Sequence, residues 1–208
     1  RGKICNKKKS KINFNTEKIK KIYIPKIFLN WFMNKYFIKL LNSLYYNYSN
    51  LKKKKTNIEN FFYPLDKISN WNVAYGNKGF ISYQCILPYK NSYKALKEIL
   101  SEIKDNRIYS FVSVLKSMGK KNNYISFGYP GLTLVLDFPI YKNIYNTLDK
   151  IDNIVLINNG RIYLTKDSRI NKKKFKEINK EFNIRDFKKM RSKNKFFFSS
   201  LQSERLDI

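Results

Sequence analysis

The chain has 208 residues, of which 43% are hydrophobic and 16% aromatic, so it is long enough and apolar enough to fold around a packed core. With no histidine, and with Cys5 and Cys85 far apart, histidine-based nucleophiles, metal sites and disulfide frameworks are not indicated, and any acid or base must be Lys, Tyr, Asp or Glu. The formal charge of +28 attracts phosphate in general, but no zinc-finger or helix-turn-helix signature accompanies it, so nucleic acid is not the partner that we expect.

The amino-terminal residues 1–57 form a basic segment with one predicted amphipathic helix, over residues 27–48. Lysines and asparagines interrupt this helix too often for a membrane span, which needs roughly 20 predominantly apolar residues. Its apolar face fits two alternatives, packing on the rest of the domain or lying at a membrane surface. Because the chain starts at Arg1 rather than a methionine, we expect it to be part of a longer protein. The apolar face consists of Met33, Phe37, Leu40, Leu41 and Leu44, with Lys35, Lys39 and Asn42 opposite.

From residue 79 onward, apolar segments and turn residues alternate regularly. Residues 79–87 alternate in polarity and end at Pro88, which is typical of a strand. Residues 91–104 predict a helix that opens on an Asn or Ser cap. Residues 107–116 are rich in β-branched and aromatic side chains and predict a second strand. The predicted buried face of the helix is Tyr93, Leu96, Leu100 and Ile103.

Two more strands and a helix complete the pattern. Residues 131–139 form a third apolar segment, bounded by Gly and Pro. Residues 141–159 carry Ile144, Leu148, Ile151 and Val155 at helical spacing, and we expect Gly160 to take the left-handed position after that helix. Residues 160–169, "GRIYLTKDSR", predict a fourth strand. The order β-α-β-β-α-β predicts an α+β domain of the ferredoxin-like type, with both helices on one face of an antiparallel sheet.

The strands alternate between two faces, and this alternation predicts what each face contains. One purely apolar set, Leu132, Leu134, Leu136 and Phe138, should contact the helices. The polar sets should then converge on the opposite face. A solvated sheet face would also be polar, but these sets carry few charges, which favours a ligand pocket. The converging residues are Ser82, Gln84, Lys116, Thr133 and, at the end of the fourth strand, Lys166.

Five blocks of the sequence resemble a known family. They match, in order and at compatible spacing over about residues 15 to 208, the carboxy-terminal half of the decaprenylphosphoryl-β-D-ribose 2-oxidase family of vanillyl-alcohol-oxidase-type flavoproteins. The blocks are "FFYPLDKISNWNVAYGNKGFISYQCILP" (61–88), "SFVSVLKSMG" (110–119), "SFGYPGLTLVLDFPI" (126–140), "GRIYLTKDSR" (160–169) and "FFFSSLQSERLDI" (196–208).

The resemblance implies an enzyme in two parts. Residues 58–208 would be the substrate or cap domain, and the FAD-binding domain would lie outside this chain, in a separate subunit or in another part of the same protein. The glycine content agrees, because the seven glycines form no phosphate-cradling cluster, so the chain should not bind FAD firmly alone.

The resemblance also assigns roles to single residues. Lys166 matches the active-site lysine of the family, and an ammonium beside a reacting oxygen can stabilise negative charge as it develops. Tyr163 matches a residue that contacts FAD. Gln84, Lys116 and Thr133 match positions that line the substrate pocket. The simpler alternative for Lys166 is an ion pair with a neighbouring carboxylate such as Asp167.

Some positions depart from the family pattern. Ser82 stands where the family more often carries a second glutamine, Thr133 where asparagine is frequent, and Val135 where the mycobacterial form has a cysteine. These changes affect the sugar site rather than the flavin chemistry.

We therefore expect oxidation of the C2 hydroxyl of a polyprenylphosphoryl ribose, in the cytoplasm at the inner membrane face, where lysines attract lipid phosphate. The alternatives are an aldonolactone oxidase of the D-arabinono-1,4-lactone type and, from another class, a basic RNA-binding or ribosomal protein.

Overall fold

The computed structural model describes residues 21–23, 35–50, 63–110, 112–119, 127–179, 184–194 and 198–208. Ahead of the main sheet lie strand β1 (Ile22–Tyr23), helix α1 (Lys35–Asn50) and strand β2 (Ile68–Ser69), which pairs with β1 in parallel. The main sheet and its two helices are β3 (Phe80–Pro88), α2 (Tyr89–Asp105), β4 (Val112–Met118), β5 (Gly131–Pro139), α3 (Ile144–Ile157) and β6 (Arg161–Ile162). Three helices follow, α4 (Lys172–Ile178), α5 (Ile184–Lys193) and α6 (Leu201–Leu206).

The main sheet has the strand order β4-β5-β3-β6, and every neighbouring pair is antiparallel. Each helix therefore connects two strands that are separated by a third strand between them. This is the split βαβ arrangement, so the predicted α+β fold with a β-α-β-β-α-β core is confirmed. The proposed division into residues 1–57 and 58–208 stays a prediction, since much of the first part lies outside the described residues.

The core lies between the sheet and helices α2 and α3. Leu134, Leu136 and Phe138 of β5 are buried there, as the alternation predicts, and Tyr83, Cys85 and Leu87 join them from β3. All four residues predicted for the buried face of α3, from Ile144 to Val155, are fully buried. Full burial of one such side chain stabilises the fold by about 1.5–3 kcal/mol, so this layer fixes the sheet and leaves its other face for different chemistry.

Helix α2 differs from its prediction in both its start and its buried face. It begins at Tyr89, directly after Pro88, and no side chain caps it, so the predicted Asn or Ser cap was wrong. Ala95 and Ile99 are fully buried, whereas Leu100 is 53% exposed. Tyr93 is exposed as well, and Leu96 and Ile103 are only partly buried. The buried stripe is therefore rotated by about one residue from the predicted one.

Helices α2 and α3 both end in a Schellman motif. In each, the residue in the left-handed conformation is one for which the sequence did not predict it. After α3 this residue is Asn159 (φ 57°), so the prediction for Gly160 was wrong. Gly160 follows it, donating to the Val155 carbonyl at 2.7 Å. A Cβ at Gly160 would lie 2.7 Å from the Ile86 carbonyl oxygen, so close packing requires this glycine rather than a positive φ.

The same cap explains why β4 begins later than predicted. Arg107 is left-handed (φ 54°), and the Ile108 amide donates to the Ile103 carbonyl at 3.2 Å. Residues 107 and 108 thus belong to the end of α2, and the strand starts at Val112.

The predicted helix over 27–48 is described from Lys35 onward, and residues 27–34 lie outside the described part. Within the described helix, Leu40 and Leu44 are 56% and 58% exposed, so these two leucines are not packed into the core. None of the helices in the described ranges is long and apolar enough to span a membrane.

The rotated face of α2 can be tested with two neighbouring residues. Ile99→Ala should lower the free energy of unfolding of the chain by about 2–4 kcal/mol, because it leaves a cavity in the core. Leu100→Ala should cost less than about 1 kcal/mol, because the side chain is largely in water already. Urea unfolding followed by circular dichroism measures both. Equal losses, or a larger loss at Leu100, would restore the face that the sequence predicted.

Candidate functional site on the open sheet face

The face of the sheet opposite the helices carries the polar residues that the sequence singled out. In the β3–β5 register, Ser82 lies opposite Asp137 and Gln84 lies opposite Val135. In the β4–β5 register, Lys116 lies opposite Thr133. Since side chains two residues apart share a face, these six residues lie on one side of the sheet, which we call the open face.

Gln84 is held in place by Thr133. The Gln84 Nε2 atom donates to the Thr133 hydroxyl at 3.2 Å, and that hydroxyl donates to the Cys85 carbonyl at 2.8 Å. Thr133 is fully buried and Val135 is buried beside it, whereas Lys116 is exposed near the sheet edge. Thr133 therefore serves to orient the Gln84 amide, and Gln84 is the member of this pair that is accessible to a ligand.

Lys166 reaches the open face from a turn rather than from a strand. Strand β6 ends at Ile162, and the amides of Lys166 and Asp167 both donate to the Tyr163 carbonyl at 3.1 Å. The prediction that the strand continues to Lys166 was therefore wrong. The Lys166 ammonium donates to the Ser82 hydroxyl at 3.1 Å, and this hydroxyl donates to the Asp137 carboxylate.

Tyr163 continues the sheet for one more residue. Its amide donates to the Gln84 carbonyl at 2.8 Å, and its ring lies 4.7 Å from the Phe127 ring. Tyr163 thus stands beside Gln84, with an aromatic pair at the end of β6. The structure brings Lys166, Tyr163, Ser82 and Gln84 to one region, with Lys116 further out along the edge strand.

An aromatic cluster covers one end of the open face. Tyr75 lies in a 3-10 turn and stacks on Phe80 at 4.6 Å, and Trp71 lies 5.3 Å from the same ring. Burial, followed by the charge of Asp137, raises the pKa of the Tyr75 hydroxyl well above its usual range. The Tyr75 side chain is buried, so this cluster excludes water from the Phe80 end of the sheet. Neither Tyr75 nor Asp137 was predicted from the sequence as part of the site, although the alternation in "GLTLVLDFP" puts the Asp137 carboxylate on the open face.

The turn that carries Lys166 is clamped by the last helix. Gln202 of α6 donates to the carbonyls of Leu164 and Asp167 at 2.6 and 3.1 Å, and Arg205 donates to the Asp167 carboxylate at 3.0 Å. The Asp167 carboxylate also accepts from the amides of Arg169 and Ile170. Asp167 thus pairs with Arg205 and the backbone, which gives the simple ion-pair alternative for Lys166 no support.

A second carboxylate fixes the other side of this segment. Asp152 of α3 is fully buried and accepts from Arg169 at 2.7 Å, Lys174 at 3.1 Å and the Tyr83 hydroxyl at 3.0 Å. Burial raises the pKa of Asp152, and the charges of Arg169 and Lys174 oppose that rise. Burial likewise raises the pKa of Tyr83 well above its usual range. This cluster anchors the segment to α3, so Lys166 is positioned from both ends.

A shallow pocket opens where β6 stops and leaves the edge of β3 uncovered. Its lining combines hydroxyl, amide and cationic groups with apolar side chains, and its volume of about 10 Å³ has room for about one water molecule. No cluster of side chains in the described ranges has the composition of a metal site. The lining includes Ser82, Gln84, Leu148, Lys166, Ser168 and Arg169.

No model of a known protein family matches the chain. The chain is 36% identical over 148 residues to a protein named decaprenylphosphoryl-beta-D-ribose oxidase from Mycolicibacterium smegmatis (strain ATCC 700084 / mc(2)155). The match covers 70% of this chain and 32% of that protein, so the chain spans about a third of the length of the relative that it matches. The resemblance seen in the five sequence blocks is thereby confirmed, and the covered share is consistent with a carboxy-terminal half.

The clamp predicts a pH dependence of stability. Asp207, which follows α6, accepts from Lys172 at 2.8 Å and Lys188 at 3.0 Å, and these two bonds lower the pKa of its carboxyl from 3.8 to about 2. A carboxyl whose pKa is lower in the folded state stabilises the fold above pH 3.8, and this contribution is lost as the pH falls from 3.8 to about 2.

Asp207→Asn should therefore lower the melting temperature at neutral pH, and the difference from the wild type should shrink below pH 3.8 and disappear near pH 2. Thermal melts followed by circular dichroism between pH 2 and pH 7 measure this difference. In a Lys172→Ala, Lys188→Ala background, Asp207→Asn should have little effect at any pH. A difference that stays constant with pH would show that these bonds do not affect folding.

Proposed function

We propose that this chain is the substrate-binding half of an FAD-dependent oxidoreductase that oxidises a secondary alcohol of a sugar, at the C2 hydroxyl of a polyprenylphosphoryl ribose. The observation that carries the proposal is the grouping of Lys166, Ser82, Gln84 and Tyr163 on the open sheet face. The similarity to a protein named as an oxidase of decaprenylphosphoryl ribose supports the reaction class and the substrate class.

The donors on the open face fit a flavin and a sugar. Lys166, Gln84 and Tyr163 present ammonium, amide and phenol groups, which suit carbonyl and hydroxyl oxygens. The Tyr163 and Phe127 rings add an aromatic surface beside them. The FAD phosphates would be held by a domain or subunit outside these 208 residues, because the seven glycines form no phosphate-cradling cluster. When bound, FAD supplies the acceptor for the hydride that leaves the alcohol carbon.

The residues of this chain then orient the sugar and stabilise charge. As the hydride leaves the alcohol carbon, the hydroxyl proton passes to solvent water, and the Lys166 ammonium donates a hydrogen bond to the oxygen on which negative charge develops. Gln84, oriented by Thr133, donates to or accepts from a neighbouring sugar hydroxyl. Lys116, exposed near the sheet edge, is placed to attract the phosphate of the lipid-linked sugar.

The role of Lys166 can be tested in the enzyme assembled from this chain and its FAD-binding half. When this enzyme is mixed with a polyprenylphosphoryl ribose in the absence of oxygen, the flavin absorption should bleach. Lys166→Ala should slow this reduction by about 10²- to 10³-fold, because a donor to the developing charge is lost. Lys104→Ala, at an exposed position near the end of α2, should stay near the wild-type rate.

Each result of this experiment has a defined meaning. Bleaching at the wild-type rate in Lys166→Ala would remove the proposed role of the lysine. Bleaching with an aldonolactone but not with the lipid-linked ribose would change the substrate class and keep the flavin chemistry. No flavin absorption in the assembled protein would contradict the proposal as a whole.

Helix α1 supports a contact with a membrane surface, where a lipid-linked substrate resides. Leu40, Leu44 and Tyr48 are exposed at four-residue spacing, so they form one apolar stripe. Lys39 is exposed on the polar side of the same helix, and lysines on the polar face of such a helix are attracted to anionic headgroups. We therefore propose that α1 binds peripherally at the bilayer surface.

Replacing two leucines of the stripe, Leu40→Asp with Leu44→Asp, should reduce co-sedimentation with vesicles of anionic phospholipid by at least about 10-fold, since about 1.5–3 kcal/mol of burial is lost per leucine. Leu100→Asp, an exposed leucine on α2, is the matched control and should sediment like the wild type. Equal loss in both proteins would indicate that charge alone, rather than the α1 stripe, governs the binding.

A further inference from the structure

Lys166 and Asp137 are joined through one hydroxyl group. The Lys166 ammonium lies 3.1 Å from the Ser82 Oγ atom, and Ser82 hydrogen-bonds to Asp137 Oδ1 across the β3–β5 pair. Lysine and aspartate come from opposite sides of β3, the lysine from the turn after β6 and the aspartate from β5. Ser82 lies on β3, the strand between β5 and β6.

The chemistry of the three groups fixes the direction of the two hydrogen bonds that join Lys166, Ser82 and Asp137. An ammonium only donates and an ionised carboxylate only accepts, whereas a hydroxyl has one hydrogen to give. Ser82 must therefore give its hydrogen to Asp137 and accept one from Lys166. This contact occupies one of the three ammonium hydrogens, so the same group can still donate to a bound ligand.

Asp137, at one end of this hydrogen-bonded series, is buried and held in place. Asp137 is 8% exposed, and Phe80, two residues before Ser82 on the same face of β3, stacks on the buried Tyr75 ring at 4.6 Å. The Asp137 amide donates to the Ser110 hydroxyl at 3.0 Å, so the backbone is fixed as well. Hydrogen bonds to a charged group are stronger where water is excluded. Asp137 therefore holds the Ser82 hydroxyl, and through it the Lys166 ammonium, in a fixed position.

We propose that Asp137 and Ser82 are positioning residues for the reaction, which hold the Lys166 ammonium against the open face so that it meets the reacting oxygen of the sugar. This inference rests on the proposed function of Lys166 and extends it to two residues that do not themselves touch the reacting atoms. Ser82 hydrogen-bonds to both the Asp137 carboxylate and the Lys166 ammonium. The turn held by Gln202 and Arg205 keeps the Lys166 backbone close enough for this contact.

The inference predicts a particular kinetic pattern in the assembled enzyme. Ser82→Ala and Asp137→Asn should each slow flavin reduction by about 10- to 100-fold, the range expected when a catalytic group loses its alignment. The KM for the lipid-linked ribose should change less than the rate, because Ser82 gives its one hydrogen to Asp137 and Asp137 is buried. Ser82→Thr keeps the hydroxyl and should recover most of the lost rate.

The dependence on Lys166 separates positioning from a general structural role. In a Lys166→Ala background, adding Asp137→Asn should cause no further loss, because the group that it positions is gone. A further loss of similar size there would overturn the inference. If Lys166→Ala alone reduces flavin at the wild-type rate, both the inference and the role proposed for Lys166 are wrong. If Lys166→Ala is slow while Asp137→Asn is not, only the inference fails.

A second measurement uses the 208-residue chain and needs no catalysis. Brief treatment with acetic anhydride, followed by mass spectrometry of peptides, gives the acetylation rate of each lysine. An ammonium engaged by the Ser82–Asp137 pair should be acetylated several-fold more slowly than in Ser82→Ala or Asp137→Asn. Circular dichroism melts would show that each variant is folded.

The chain contains a matched control for this measurement. Ser101 and Asp105 on α2 also form a hydrogen-bonded serine–aspartate pair, at 3.2 Å, on an exposed helix surface. Ser101→Ala and Asp105→Asn should leave both the acetylation of Lys166 and the rate of flavin reduction unchanged. Equal acetylation of Lys166 in the wild type, Ser82→Ala and Asp137→Asn would overturn the inference independently of any enzyme assay.

Discussion

The pairing of β3 with β5 is the constraint on which the site depends. Nine consecutive residue pairs join these two central strands, from Phe80 opposite Pro139 to Pro88 opposite Gly131. Because the side-chain period is two, a slip of one residue would turn Ser82 and Gln84 toward the helices and expose Tyr83 and Cys85. The apolar residues buried against α2 and α3 oppose such a slip, so the hydrophobic core also fixes which polar groups meet on the open face.

Gly131 shows how tightly this register is set. A Cβ at this position would lie 2.3 Å from the Leu87 carbonyl oxygen, a distance that no side chain can occupy. Gly131 lies at the end of the β3–β5 pair away from Ser82 and Asp137, and any side chain there would disturb the pairing. The close approach and the apolar layer together leave one arrangement in which Ser82 can bridge β3 to β5.

The position of Lys166 requires elements that are far apart in sequence. The short strand β6 leaves part of β3 unpaired, and the turn after it brings the ammonium back over Ser82. Helix α6 holds this turn through Gln202 and Arg205, about 35 residues further along the chain. One sequence block thus carries the lysine, and the block at the carboxy-terminal end clamps the turn of that lysine.

The sequence predicted what depends on strict periodicity and missed what depends on local hydrogen bonds. The strand 131–139 and the buried face of α3 were correct, because each shows an unbroken apolar period. The alternation also placed Ser82, Gln84 and Thr133 on one face. In α2, lysines and tyrosines blur the period, and Pro88 starts the helix without a capping side chain. The end of β6 could not be predicted, because "IYLT" continues an alternating pattern. The strand ends where the amides of Lys166 and Asp167 donate hydrogen bonds to the Tyr163 carbonyl.

The scarcity of acidic residues shows how the carboxylates around the 163–174 segment are used. The chain has 43 basic and 15 acidic residues, so carboxylates are the scarcer partner. Around the 163–174 segment, Asp152 directly binds Arg169 and Lys174, and Asp167 directly binds Arg205. These ion pairs tie the segment to α3 and α6. Lys166 instead meets the Asp137 carboxylate through the Ser82 hydroxyl, and this contact uses only one of its ammonium hydrogens.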